Sequence, residues 1–188
     1  MSNTIQYNFS TADEIPDTHP PSDYQSFAAA EKLVDLESNP TYVIADIGCT
    51  RAMGSRYAVE KLEKALTHLG AIFEWRRCNT KMTFANNDVA ILEWCVIITF
   101  PTNPPVCTTI DVLDRGYIPI LLSLQQQMNM KMTYALEPDK AYVTCDLLKM
   151  NHERCQFSNT RHIVLDLARI CGRVSEKGYK DLRINPKV

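Results

Sequence analysis

Between Ala71 and Phe100 the chain runs AIFEW, KMTFA and VAILEWCVIITF around one cluster of turn residues, Asn86-Asn87-Asp88. β-Branched and aromatic side chains fill the arms, and Asn and Asp tolerate the left-handed backbone angles of a tight turn. The stretch therefore predicts a hairpin with a projecting tip. Further extended segments follow: CTTIDVL (107–113), a turn at Asp114-Arg115-Gly116, YIPILLS (117–123), MKMTYAL (130–136) and AYVTC (141–145), the last two separated by Glu137-Pro138-Asp139. The middle of the chain is mostly β.

Helical signals sit around this β region. Ser55 can cap a helix over Tyr57 to Leu69, with Val59, Leu62, Leu66 and Leu69 on one face and Gly70 as its stop. A short polar helix is expected over LQQQMNM (124–130). Phe27 to Leu36 has helical composition and ends before Asn39-Pro40, and Ile163, Val164, Leu167 and Ile170 lie close to a helical stripe within 162–173. Residues 1 to 25 read as a polar tail held extended by Pro16, Pro20 and Pro21. These signals divide the chain into a tail and short helix (1–39), a β domain (40–145) and a C-terminal extension (146–188).

Twenty Lys and Arg against 22 Asp and Glu leave no basic field to attract phosphates, so nucleic acid is not an expected direct partner. No apolar run approaches the roughly 20 residues needed to span a bilayer, and the first residues lack a signal-peptide pattern. The expectation is a soluble, intracellular, cytoplasmic protein without membrane contact. Seven cysteines are scattered without CxxC pairs and read as reduced thiols. The mixed cluster Cys145, His152, Cys155 and His162 matches no zinc spacing, so no metal is expected.

One segment carries chemistry. The apolar run Tyr42-Val43-Ile44-Ala45 delivers a carboxylate, Asp46, where the chain meets Gly48 and turns. A strand ending in Asp-x-Gly (Asp46-Ile47-Gly48-Cys49-Thr50), a projecting hairpin, further strands, the apolar run Ile118-Pro119-Ile120-Leu121-Leu122 and a short helix follow in that order. This order resembles the retropepsin-like aspartic proteases of retroviruses and retrotransposons over roughly residues 40 to 145.

The resemblance implies a closed β-barrel with one inserted helix and helical or disordered flanks. It implies a homodimer in which each chain supplies Asp46 to a dyad that cleaves a peptide or polyprotein substrate, without a cofactor. Ile47, Gly48, Cys49 and Thr50 would form the active-site loop, and Phe84, Ala85, Asn86, Asn87 and Asp88 the tip of a flap. Ile47 stands where the family carries Thr or Ser, whose hydroxyl locks the two loops across the dimer axis. That departure keeps open a degenerate retropepsin-like module for dimerisation or peptide binding. A third reading, independent of the resemblance, is a small β-rich interaction domain in which Asp46 is a turn residue.

Overall fold

The computed structural model describes residues 33–84, 87, 89–137 and 140–172. The polar tail and most of the expected 27–36 helix lie outside them. The described end of that segment is not helical: Val34 forms a parallel bridge with Ser158, its N–H donating to Phe157 O at 2.8 Å. Its buried side chain packs with Ile44 and Val164, a tertiary partnership that composition does not report.

The fold is mainly β. β1 (Tyr42–Asp46) leads through a loop to β2 (Met53–Ser55), which runs into α1 (Arg56–Leu66). Ser55 caps α1, its side chain accepting from Ala58 N, and Ala58, Val59, Leu62 and Leu66 form the buried face. A 3-10 turn over Thr67–Leu69 ends at Gly70, whose φ of 89° suits a residue without a Cβ.

β3 (Ile72–Thr83) and β4 (Val89–Phe100) form the long hairpin. The arms AIFEW and KMTFA, read as separate strands, are one strand with a bulge between Arg77 and Thr80. β4 turns Leu92, Val96, Ile98 and Phe100 into the core and pairs over Trp94–Phe100 with β5 (Val106–Leu113). Only the last three residues of 117–123 form a strand, β6 (Leu121–Ser123), because Pro119 has no N–H for a ladder. α2 (Leu124–Asn129) follows at once, capped by Ser123 accepting from Gln126 N.

β7 (Thr133–Glu137), β8 (Lys140–Cys145) and β9 (Met150–Arg154) make a three-stranded antiparallel sheet, and β10 (Gln156–Phe157) and β11 (Ile163–Asp166) complete the other sheet. The helical stripe expected at 162–173 starts later than expected. Ile163–Asp166 is a strand held between β1 and β10, and among the described residues helix begins at 167, its first turn fixed by Ala168 N donating to Asp166 Oδ1. Segment 146–172, read as an extension, thus supplies strands to both sheets.

The larger sheet has the order β10-β11-β1-β6-β2-β5-β4-β3 and mixes parallel pairs (β1 with β6, β2 with β5) with antiparallel ones. This corrects the expected closed barrel. Among the described residues β10 and β3 are the two edges of an open sheet, and a two-residue β10 offers no ladder along which twelve-residue β3 could close. One hydrophobic core joins α1, β4 and β5 with Ala141, Val143 and Cys145 of β8.

β6 takes a position that matters for the site. It lies between β1 and β2, parallel to the first and antiparallel to the second, so the chain leaves β1, passes the end of β6 and returns on its other side. The approach is close: a Cβ on Gly54 of β2 would lie 2.9 Å from Ile120 Cγ1 and 3.3 Å from Ile120 Cα.

Candidate functional site around Asp46

Asp46 is the last residue of β1 and sits opposite Ser123 in the parallel register, level with the start of α2. Its carboxylate shapes the turn that follows: Oδ1 accepts from Gly48 N at 2.8 Å and the backbone carbonyl from Cys49 N at 3.4 Å. Gly48 is needed for space, since a Cβ there would come within 3.3 Å of Asp46 Oδ1.

Beyond the turn, Cys49 O accepts from Leu124 N at 3.3 Å, which ties the loop to the N-terminus of α2. The Cys49 thiol donates to Arg51 O at 2.7 Å, and burial, with the Asp46 carboxylate adding to it, pushes that thiol's pKa up. Arg51 anchors the far end: Nε meets Asp111 Oδ2 at 2.5 Å, and Asp111 is only 3% exposed in the middle of β5. Sequence reading missed this ion pair, because nothing local links residues 60 positions apart. Ile47 is 71% exposed, and Thr50 is exposed beside it.

Of the expected flap, Ala85, Asn86 and Asp88 lie outside the described residues. Asn87 adopts φ 65°, and its N–H donates to Phe84 O at 2.9 Å. Phe84 packs in a small cluster with Met53, Met82, Leu92 and Leu113 that also includes Cys49 and Leu121. The hairpin end and the Asp46 loop thus share one apolar cluster.

The chain's other Asp-x-Gly, Asp114-Arg115-Gly116, is a turn after β5, in which Asp114 pairs with Arg56 and Gly116 has φ 67°. The four Cys and His residues weighed as a metal cluster are engaged elsewhere. The Cys145 thiol donates to Met130 O, His152 stacks on Tyr142 with ring centroids 4.3 Å apart, Cys155 is buried, and His162 Nδ1 lies 2.8 Å from Thr160 Oγ1. A cleft lined by Tyr42, Glu153, Asp166 and Arg169 lies between β11 and the smaller sheet and does not include Asp46. Its acid Asp166 is already engaged by Thr41 Oγ1 and Ala168 N, and Glu153 approaches Arg169 at 4.0 Å.

Fold and site define a mainly β domain on a mixed sheet, with a carboxylate at the end of an interior strand. No family model, characterised protein or solved structure matches the chain. Among the described residues no helix is long and apolar enough to cross a membrane.

Proposed function

We propose that the chain is a retropepsin-like aspartic endopeptidase that works as a homodimer on a peptide or polyprotein substrate, each copy supplying Asp46. The observation that carries this reading is the placement of β6 between β1 and β2, which leaves the Asp46 carboxylate at the end of an interior strand. A turn residue with no further role does not need a loop tied at both ends, by Cys49 O to α2 and by Arg51 to β5.

The chemistry follows from pairing two such loops. Two carboxylates brought into contact on a two-fold axis do not both ionise readily, so they share one proton and titrate as a pair. The ionised oxygen takes a proton from water as it attacks the scissile carbonyl, and the protonated partner donates to that carbonyl oxygen. The β3–β4 hairpin, whose end packs in the same apolar cluster as Cys49, supplies cover that excludes water from an extended peptide.

The exposure of Ile47 favours a second reading. A residue 71% exposed beside Asp46 brings an apolar surface and no hydroxyl to the proposed axis, as expected of a retropepsin-like module kept for dimerisation or peptide binding. One experiment separates the two. Peptide cleavage by the full chain should peak on the acidic side of neutrality and disappear in Asp46→Asn, with dimerisation measured in parallel by sedimentation. Dimerisation without cleavage selects the binding module; a chain that stays monomeric at high micromolar concentration removes both.

A further inference from the structure

The bulge in β3 brings two thiols together on one face of the hairpin. Arg77 pairs with Trp94 and Thr80 with Leu92, so Cys78 and Asn79 both face Glu93. Arg76 pairs with Cys95, and Cys95 in turn with Asp111, forming a row across three strands. Alternation along β3 up to the bulge puts Cys78 on the face of Arg76, and therefore of Cys95, one diagonal step away. The Cys78 thiol donates to Leu92 O at 3.2 Å. Both cysteines are free and partly exposed, within reach of a small oxidant.

The Arg51 guanidinium, held by Asp111 in the same row, feels both thiols. Burial, and after it the Cys78 thiol and the Asp111 carboxylate, raises the pKa of Cys95. Cys95 therefore suits the second, resolving step better than the first.

We propose that Cys78 and Cys95 are a peroxide-sensitive dithiol that closes to a disulfide across the middle of the β3–β4 hairpin. The Cys78 thiolate attacks one oxygen of hydrogen peroxide, the O–O bond breaks, and the departing oxygen leaves as water after taking up a proton. Cys78 is then a sulfenic acid. The Cys95 sulfur attacks the Cys78 sulfur and expels the hydroxyl as a second water. Two thiols and one peroxide give one disulfide and two waters, and a dithiol reductant reverses the closure. The inference does not depend on proteolytic activity.

Peptide mapping of the full chain tests it. Trypsin cuts after Arg77 and Lys81, so Cys78 travels on fragment 78–81, whereas Cys95 shares fragment 82–115 with Cys107. The test therefore uses Cys107→Ser, a change at an exposed position, alongside the unaltered chain, in which tandem fragmentation locates the bridge. After peroxide, alkylation and digestion without reductant, the two fragments should appear as one species, with two alkylatable thiols lost and both restored by dithiothreitol. In Cys95→Ser, dimedone should trap Cys78 as sulfenic acid. Cys78 and Cys95 alkylated separately after peroxide, or Cys78 bridged to a different cysteine, would overturn the proposal.

Discussion

Asp46 and Ser123 are register partners on parallel strands: one residue ends β1 and the other caps α2. The carboxylate that turns the loop and the hydroxyl that starts the helix are therefore set at one level of the sheet. Leu124 N, the first N–H of α2, is taken by Cys49 O of the same loop. Whatever moves α2 moves the Asp46 turn, and predictions about either can be tested on both.

Ile47→Thr probes the proposed axis. If a hydroxyl there completes a lock between two loops, threonine should tighten self-association by one or two hydrogen bonds, each about 0.5–1.5 kcal/mol, and raise peptide turnover with it. Because Ile47 is exposed in the single chain, the change should leave the urea midpoint at low protein concentration nearly unmoved. Sedimentation and turnover measured side by side decide the matter. Weaker association with no gain in turnover would mean that isoleucine packs against its symmetry mate, and would favour the binding module.

Arg51→Ala removes the partner of a buried carboxylate. The charged hydrogen bond alone is worth roughly 1.5–3 kcal/mol, but Arg51 is half exposed and water can reach part of the vacated site. The expected loss is about 1–2 kcal/mol in urea unfolding. Arg51→Lys should recover only part of it, since an ammonium cannot reproduce a contact in which Nε and Nη2 reach both carboxylate oxygens. A variant as stable as the parent would show that Asp111 finds another partner.

High pH should act through buried thiols. Burial pushes Cys155 and Cys171 up to about 11 from an ordinary 9.0. The folded chain therefore holds these protons more tightly than the unfolded one, and their contribution is fully present below about pH 9 and lost as the pH climbs towards 11. The urea midpoint should be flat from about pH 7 to 8.5 and then decline, and the decline should be shallower in Cys155→Ala/Cys171→Ala. An equal decline in both proteins would assign the effect to other groups.

What could be read from sequence follows the range of the interactions. Ser55, the 3.6-residue stripe through Val59, Leu62 and Leu66, and Gly70 are local signals, and α1 and its stop formed where they pointed. β4 was as plain, since its long β-branched and aromatic run starts directly after the Asn86-Asn87-Asp88 turn. Ile163–Asp166 misled because a short apolar run has no reliable period, and its strand state is decided by β1, far away in the chain. The closed barrel failed for a related reason: closure depends on whether two edge strands meet, and no stretch of residues encodes that alone. At the site, the turn at Asp46 and Gly48 was legible, while Arg51–Asp111 and the approach of Cys78 to Cys95 depend on pairings and a bulge that only the assembled sheet fixes.

The pairing of β1 with β11 sets an order of events during synthesis. Thr41, just before β1, donates its hydroxyl to Asp166 across 125 residues, and Tyr42, Val43 and Ile44 take Asp166, Leu165 and Val164 as register partners. A ribosome adding about 5–20 residues per second needs on the order of ten seconds to travel between them. Until β6 is made both sides of the β1 ladder are open, and the side that takes β11 stays open to the end of that interval; contacts of such long range also form slowly once the chain is free. The turn at Asp46 is thus among the last parts of the domain to become rigid: its supporting strand matures only when the far end of the sheet has been made.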